Sequence, residues 1–342
     1  MASKRKSFNF NGQTIAPGER ANFDLRAAQL YTHTELHIPV EIIHGKQDGP
    51  VLLVCAAIHG DELNGVEITR RLLKRLVRRR IKGTLMVVPI VNVFGFIHQS
   101  RYLPDRRDLN RCFPGSATGS LASRIAHRFV TEILSKCTHA IDLHTGAINR
   151  SNLPQIRAYL DDPETEAMAK SFSVPIVVNT DLLDGSLRSY ADKNGISAIT
   201  YEAGEAMRFD EAAIAAGVKG VLNVMRGLGM LTALRKPPKE PVVAQSSRWI
   251  RAVQDGIIMP AVRLGSHVKE GDKLATISAP LGIAEKIVTA PGDGIVIGST
   301  MLPLVNEGEA IFNIAQFRNT EKVAETVQAF HEELGVEENK VG

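Results

Sequence analysis

The sequence predicts an α/β protein, with a mostly parallel sheet that carries helices on both faces and a small β-rich barrel or sandwich domain at the C-terminal end. Over residues 35–235, short apolar runs alternate with amphipathic segments, a pattern typical of a parallel sheet covered by helices. Three prolines and four charges at residues 235–241 then indicate a linker. We therefore expect domains at 35–235 and 236–318, between an N-terminal segment at 1–34 and a charged tail at 319–342.

The composition is that of an ordinary globular protein in water. The 342 residues suffice for one large domain and a smaller one, and a net charge of +4 gives no reason to expect nucleic acid or a membrane as partner. The longest apolar-rich stretch without charges, residues 83–97, is too short to span a bilayer. Cys55, Cys112 and Cys137 form no C-x-x-C pair, which favours a reducing cytoplasm. No apolar run follows the basic N-terminus, so we expect no signal peptide.

The first elements follow from local patterns. Residues 1–30 look irregular, and HIPVEII at residues 37–43 is predicted as a strand before a turn at 45–50. The apolar run at residues 51–58 is short and lies between Gly-Pro and Gly-Asp, which indicates a strand buried on both faces. A helix is predicted at residues 65–80. Its basic side is typical of a solvated face, since no aromatic residues accompany the charges as nucleic-acid binding would favour.

Strands and helices continue to alternate along the rest of the first part. A further buried strand is predicted around residues 140–143. The other predicted strands lie within 83–93 and at 155–160, 174–178 and 196–202, and the other helices lie at 119–135, 163–172 and 211–228.

Residues 236–318 repeat a short motif. VKEGDKLATI at residues 268–277 recurs as VNEGEAIFNI at residues 305–314, and a Gly-Ile strand precedes each copy. Repetition of strand, turn and strand predicts a small barrel or sandwich. The tail from residue 320 onward is predicted as a charged helix or a frayed end.

Metal-ligating side chains follow two of the buried strands. His59 and Glu62 come directly after the first strand, and His144 closes the run at residues 140–143. A His-x-x-Glu spacing alone arises easily by chance, but two histidines at the carboxyl ends of two buried strands meet at one edge of the sheet. Imidazole nitrogens and a carboxylate oxygen are ligands that zinc accepts, and catalytic zinc usually has three protein ligands. We predict one zinc ion per chain, with Asp142 placed to orient a ligating imidazole.

A third strand end and one loop supply further candidate residues. The strand at residues 196–202 ends in Glu202, on the same edge as His59 and His144. Residues 101–111 contain four arginines and lie near Pro104 and Pro114, which favours a loop at the strand ends, where sites are often built. From these patterns alone, Glu202 can also be a structural acid, and Arg111 can be a partner in a surface salt bridge.

The chain resembles the succinylglutamate desuccinylase/aspartoacylase family of zinc-dependent amidohydrolases, which is related to the zinc carboxypeptidases. The resemblance covers about residues 35–315, and the C-terminal repeat is similar to the family's second domain, which itself resembles biotinyl and lipoyl barrels. Four motifs in order carry it: HGDE at 59–62, RDLNRCFPG at 107–115, DLHTG at 142–146 and YEAGE at 201–205.

The resemblance implies a zinc-dependent hydrolase that cleaves the amide bond of an N-acyl amino acid. His59, Glu62 and His144 would hold the zinc ion. Glu202 would act as the general base and later as the proton donor. Two alternatives remain: a zinc carboxypeptidase that cleaves a peptide, and a non-catalytic protein that binds a metal or ligand. The family's second domain narrows the cleft, which disfavours the first alternative, and binding alone does not require the base.

The resemblance also assigns residues to a small-molecule substrate with a free carboxylate. Arg101 would polarise the scissile carbonyl, while Asn110 and Arg111 would hold the carboxylate. Two positions depart from the family: Asp61 stands where the best-known members have Asn, and Lys286 lacks the setting of a modifiable carrier lysine. The sequence leaves open the acyl group, the amino-acid moiety and whether the chain forms a homo-oligomer.

Overall fold

The structure is a computed structural model that describes residues 5–235, 239–282 and 284–335. The middle of the predicted linker, residues 236–238, and the end of the predicted tail, residues 336–342, lie outside the described residues.

The first part of the chain builds one large sheet with helices around it. Two short 3-10 turns, Leu109–Arg111 and Leu134–Lys136, come before and after the helix at Leu121–Glu132. In chain order the strands and helices are β1 (Phe8–Phe10), β2 (Gln13–Ile15), β3 (Arg20–Gln29), β4 (Glu35–His44), β5 (Gln47–Ala56), α1 (Asn64–Leu76), β6 (Lys82–Val88), α2 (Val93–Ile97), α3 (Leu121–Glu132), β7 (His139–Gly146), β8 (Arg150–Ala158), α4 (Pro163–Phe172), β9 (Ile176–Asn179), α5 (Leu187–Lys193), β10 (Ser197–Glu205) and α6 (Glu211–Gly227).

The middle of this sheet is parallel. Strands β6, β5, β7 and β10 lie side by side in that order, and each is parallel to its neighbour. The predicted parallel core of the sheet is therefore confirmed. Strands β4 and β8 flank it in the antiparallel direction. Only a short turn at residues 147–149 separates β7 from β8, which is too short for the crossover that a parallel pair requires.

Helices cover both faces of the sheet, as predicted. Successive side chains of a strand point to opposite faces of the sheet. Strand β5 therefore contributes residues to a hydrophobic core on each face. Leu53 and Cys55 belong to the core that packs against α2, α3 and α5. Leu52 and Val54 belong to the core that packs against α1, α4 and α6. Strand β5 is thus buried on both sides, and its carboxyl end opens onto the edge of the sheet.

Local caps explain why two helices begin where the sequence predicts them. Pro163 occupies the first turn of α4, and the Asp162 carboxylate accepts a hydrogen bond from the Thr165 amide at 2.9 Å. The Asp210 carboxylate accepts a bond from the Ala213 amide at 3.0 Å at the start of α6. Side-chain caps of this kind are visible in the sequence.

The expectation of an irregular N-terminal segment is wrong. Strands β1 and β2 form an antiparallel pair, and the ten-residue β3 pairs with β4 at the edge of the large sheet. Within β3, the buried Phe23 and Leu25 alternate with polar residues. Two buried positions are too few to stand out in a strand whose other residues are exposed or only partly buried.

The C-terminal part is built mainly from strands. In chain order they are β11 (Val242–Ala244), β12 (Ser246–Arg251), β13 (Gly256–Pro260), β14 (His267–Val268), β15 (Lys273–Ser278), β16 (Glu285–Thr289), β17 (Gly294–Thr300), β18 (Leu304–Val305) and β19 (Ala310–Gln316). Strands β12, β17 and β19 extend the large sheet, since β17 pairs with β8, whereas β13, β15, β16 and β18 form a second sheet. Residues from both sheets share one core. A separate barrel or sandwich domain stays a prediction.

The described end of the tail is helical. Helix α7 spans Thr320–Leu334, so the helical alternative holds over this range. Across residues 5–235, 239–282 and 284–335, none of the helices combines the length and apolar character needed to cross a membrane.

Candidate active site

A tight turn places His59 and Glu62 at the carboxyl end of β5. A Cβ at Gly60 would lie 1.9 Å from the carbonyl carbon of Gly95, so only glycine fits between the two polar residues. Glu62 precedes the first turn of α1, where unpaired backbone amides favour a negative charge.

The three predicted metal ligands meet at this edge of the sheet. His59 Nδ1 lies 2.7 Å from Glu62 Oε1, and His144 Nδ1 lies 2.8 Å from Glu62 Oε2. The three side chains are at most 5% exposed. One potential ligand atom from each lies within 4.8 Å of the others. Two imidazoles and one carboxylate in this arrangement fit the donor set of a zinc site.

Each imidazole has a second carboxylate on its other nitrogen. His144 Nε2 lies 2.7 Å from Asp142 Oδ2, which is where the sequence places an orienting acid. His59 Nε2 lies 3.0 Å from Asp108 Oδ1. Such carboxylates fix the orientation of a ligating ring. The sequence analysis missed Asp108, because its partner is 49 residues away.

The charges of the cluster stabilise one another. Burial opposes ionisation of Glu62, but His59 and His144 outweigh it and hold the pKa of Glu62 well below its usual range. Burial also opposes protonation of His144, yet the Asp142 and Glu62 carboxylates raise the pKa of that imidazole well above its usual value. The cluster therefore favours a charged carboxylate between two histidines.

Asp61 lies apart from these contacts. Burial, followed by the neighbouring Glu62 carboxylate, raises the pKa of Asp61. Its buried Oδ1 atom has no hydrogen-bond partner among the described residues. Burial and the Glu62 carboxylate thus both oppose ionisation of Asp61 beside the candidate metal ligands.

The structure brings Arg101 into the same cluster. Its Nη1 atom lies 3.2 Å from Glu62 Oε1, and its Nη2 atom donates to Asp108 Oδ2 at 2.9 Å. Burial lowers the pKa of Arg101, but the Glu62 and Asp108 carboxylates outweigh this effect and raise it. Arg101 thus stays charged beside the histidines.

Glu202 faces the histidines from the next strand. Its Cα is paired with that of His144 across the parallel strands β10 and β7. Its carboxylate oxygen Oε2 accepts a hydrogen bond from Asn152 Nδ2 at 3.0 Å. Glu202, His59, Glu62 and His144 line one cavity of about 280 Å³.

Asn110 and Arg111 line the same cavity, as the sequence predicts. The side-chain oxygen of Asn110 accepts a bond from the Leu187 amide at 2.9 Å and so fixes the start of α5. One guanidinium nitrogen of Arg111 donates to the Asn110 carbonyl at 2.7 Å. Within the described residues, Arg111 forms no ion pair.

Three further arginines in the cavity were not predicted, Arg150, Arg157 and Arg188, and the last two carry buried guanidinium nitrogens. Arg157 lies on β8 and Arg188 lies on α5. A buried N–H nitrogen of each, Nε of Arg157 and Nη1 of Arg188, has no hydrogen-bond partner among the residues that the structure describes. Burial, followed by repulsion from Arg157, lowers the pKa of Arg188. Arg157 interrupts the apolar pattern at residues 155–160, and a charged residue at such a position could have been recognised as a candidate site residue.

The fold and site together support a hydrolase: an α/β sheet carries a buried His–Glu–His cluster and an adjacent glutamate at its carboxyl edge. The chain belongs to the succinylglutamate desuccinylase/aspartoacylase family, because residues 48–228 match the model of that family's catalytic domain.

Comparison with individual known proteins supports this family assignment. N-alpha-acetyl-L-2,4-diaminobutyric acid deacetylase of Halomonas elongata is 26% identical over 293 residues, which cover 82% of this chain and 85% of that protein. A succinylglutamate desuccinylase/aspartoacylase structure from Rhodobacter sphaeroides has a TM-score of 0.79 at 24% identity and covers 93% of this chain and 100% of its own. The product-bound ectoine utilization protein EutE (DoeB) of Ruegeria pomeroyi has a TM-score of 0.78 at 24% identity, covering 91% and 96%. At 24% identity, these two structures show that the fold is shared.

Proposed function

We propose that the protein is a zinc-dependent hydrolase that cleaves the amide bond of an N-acyl amino acid. One observation carries the proposal: the ligand atoms of His59, Glu62 and His144 lie within 4.8 Å of one another, beside Glu202 in a single cavity. The family and the Halomonas elongata deacetylase support the same reaction type.

The donor set favours zinc, with one ion per chain. Imidazole nitrogens suit zinc and its neighbours in the transition series, and a carboxylate completes a typical set of three protein ligands. When bound, zinc acts as a Lewis acid and lowers the pKa of a coordinated water molecule to about 7. His59 and His144 would hold the ion through Nδ1, because this atom of each ring faces Glu62, the third candidate ligand. The Nε2 atoms face two other carboxylates, outside the ligand cluster.

One side chain, Glu202, would transfer the proton, and another, Arg101, would stabilise the charge that develops on the carbonyl oxygen. Glu202 would take a proton from water as the oxygen attacks the carbonyl carbon, and would give it to the departing nitrogen. Arg101 would face the carbonyl oxygen as negative charge develops there, since the guanidinium lies against Glu62 and next to His59.

Arg111 and Asn110 would hold the carboxylate of the substrate. The Arg111 guanidinium forms no ion pair with the described residues, and its planar fork suits a carboxylate. The Asn110 side-chain oxygen is used by the Leu187 amide, which leaves its amide nitrogen for the substrate.

Arg157 and Arg188 favour a second negative group on the substrate. Two neighbouring guanidinium groups with unpaired buried N–H atoms are costly unless an anion joins them. The carboxylates of Glu202 and Asp142 act on Arg188 but do not cancel the lowering of its pKa. The relative from Halomonas elongata acts on a compound whose side chain ends in an amine. An amine beside these two cations would be repelled. We therefore propose that this chain prefers N-acyl amino acids with a carboxylate in the side chain or acyl group.

The C-terminal strands would narrow the cleft as a barrel-like domain. Trp249 of β12 lines the cavity, and the Arg150 guanidinium carbon lies 5.3 Å from the centre of its ring. This wall favours a small substrate over a peptide. Glu202, positioned beside the ligand cluster, disfavours a protein that only binds a metal.

Metal analysis combined with a substrate screen tests the proposal. We expect about one zinc per chain and hydrolysis of N-acetyl or N-succinyl aspartate and glutamate in preference to N-alpha-acetyl-2,4-diaminobutyrate. Preferential release of C-terminal residues from peptides would identify a carboxypeptidase instead. Stoichiometric zinc without hydrolysis of any of these compounds would favour a binding protein.

A further inference from the structure

We propose that Asn152 is a positioning residue for Glu202, and that Gly298 of the C-terminal strand β17 holds Asn152 in place. The inference rests on the proposed function, because it takes Glu202 as the general base. It gives the C-terminal strands a part in catalysis that is separate from narrowing the cleft.

The backbone fixes where the Glu202 side chain begins. Strand β10 keeps its register with β7 up to Glu202, and the register then shifts before Glu205. Gly204, within this irregularity, has a φ of 73°, and a Cβ there would lie 2.6 Å from Asn64 Nδ2. Irregularities of this kind redirect a side chain at the end of a strand. The side-chain torsions of Glu202 are still free, so its carboxylate needs a partner to hold it.

Asn152 supplies that partner. Its Nδ2 atom donates to Glu202 Oε2 at 3.0 Å, and the asparagine is 7% exposed. Within the described residues, no other hydrogen bond to the Glu202 carboxylate is present. An amide carries no charge, so it can orient the carboxylate without neutralising it, and Oε1 remains for the water.

The absence of a side chain at Gly298 makes room for Asn152. Asn152 lies between β10 and β17 in the sheet, with Gly204 and Gly298 as its paired neighbours. A Cβ at Gly298 would lie 3.1 Å from Asn152 Oδ1 and 3.2 Å from Asn313 Cβ, both closer than ordinary contacts. A side chain at position 298 would therefore push the asparagine amide, and the carboxylate bonded to it would move.

Steady-state kinetics of Asn152→Leu tests the positioning role. Leucine has a similar size but no donor, so the Glu202 carboxylate loses its partner. We expect kcat to fall about tenfold to a hundredfold, as for loss of a hydrogen bond to a charged group, while KM and zinc content stay unchanged. Because Asn152 also lines the cavity, a raised KM at unchanged kcat would mean that it binds substrate, which would overturn the proposal.

Gly298→Ala tests the link to β17 without touching Asn152. We expect a several-fold lower kcat, and no further loss when this change is added to Asn152→Leu, because both act through one contact. Gly292→Ala is the matched control. A Cβ there would meet only Gln316 Nε2, at 3.3 Å, and we expect unchanged kcat. If Asn152→Leu does not fold, Gly298→Ala decides alone.

The outcomes separate this inference from the proposed function. The positioning role alone would be overturned if Glu202→Gln is inactive while Gly298→Ala, or folded Asn152→Leu, keeps the full kcat. An active Glu202→Gln would overturn the role of the base, and the positioning role with it.

Discussion

The Asp142 carboxylate lies 2.7 Å from Nε2 of His144, on the other side of the imidazole from the atom that faces Glu62. When the ring is neutral, a hydrogen on Nε2 can bond to the aspartate, and Nδ1 then offers its lone pair to a metal. Asp108 stands in the same relation to His59. Both candidate ligand histidines are thus oriented by the same device.

The first prediction concerns the two carboxylates that orient these imidazole rings. Asp142→Asn removes the negative charge behind His144, and we expect zinc affinity to fall about tenfold to a hundredfold. Asp108→Asn should have a similar effect through His59. Competition with a chromophoric chelator measures both constants. The exposed Asp161→Asn is a control that should bind zinc normally. Wild-type affinity in both test variants would contradict the orienting role.

The sequence predicts the ligand cluster well, because each part of the signal is local. His59, Glu62 and His144 directly follow or close short apolar runs, and such runs end at one edge of a parallel sheet. Side chains whose contacts are distant in sequence carry no such signal. Asp108 is one of these. Another contact of this kind joins the Asn110 side chain to the Leu187 amide, 77 residues away.

Features that depend on the order and direction of strands in the sheet could not be predicted from the sequence either. The sequence indicates β8 as a strand, but its antiparallel direction follows from the short turn after β7. Nor does a repeat within residues 236–318 indicate that β17 would join β8 and extend the large sheet. Long-range strand pairing is decided by packing of the whole chain.

The second prediction uses the pH dependence of cysteine reactivity. Burial raises the pKa of Cys137 to about 12 and raises the pKa of Cys55 well above its usual range. Because the thiolate is the nucleophile, a raised pKa lowers reactivity at a given pH. In the folded protein, we expect iodoacetamide at pH 8 to label Cys112 faster than the other two cysteines, because Cys112 is partly exposed, although burial raises its pKa as well. All three cysteines should be labelled after unfolding. Peptide mass spectrometry measures the labelling, and rapid labelling of Cys137 in the folded protein would contradict the prediction.

The third prediction concerns Arg111. A hydrogen bond to a charged group contributes about 1.5–3 kcal/mol, so amidation of the carboxylate held by Arg111 should lower kcat/KM at least tenfold. In Arg111→Ala, acid and amide substrates should be hydrolysed at more similar rates. Arg107→Ala is the control, since its side chain is 61% exposed in the same loop. Equal turnover of acid and amide by the wild type would remove Arg111 from this role.

The fourth prediction concerns the side-chain specificity. Arg157→Met keeps the length of the side chain but removes the charge, so the preference for a second carboxylate should fall. We expect kcat/KM for N-acetylglutamate, relative to N-acetylmethionine, to drop at least tenfold. Relief of repulsion at Arg188 should leave the variant at least as stable as the wild type. An unchanged ratio of the two specificity constants would mean that the second carboxylate binds elsewhere or is absent.

The last prediction separates metal binding from proton transfer. His59→Ala or His144→Ala should lose zinc and activity together, because each removes a ligand. Glu202→Gln should keep about one zinc per chain, since Glu202 lies outside the cluster of ligand atoms within 4.8 Å. Glutamine retains the size and an oxygen for Asn152 Nδ2, but it cannot accept the proton of water. General base catalysis contributes about 10²–10⁴-fold, and kcat should fall by that factor.

Metal content and turnover on the same preparations distinguish the three roles open to Glu202. A structural glutamate would give a Gln variant that unfolds or keeps most of its activity. A metal ligand would give a variant whose zinc content falls alongside the rate. Only a base gives full zinc, an intact fold and slow turnover. The contact between Asn152 and Glu202 supports the last outcome. Among the described residues, Asn152 is the one hydrogen-bond donor to this carboxylate, and it bonds to one oxygen, so the other oxygen can take a proton.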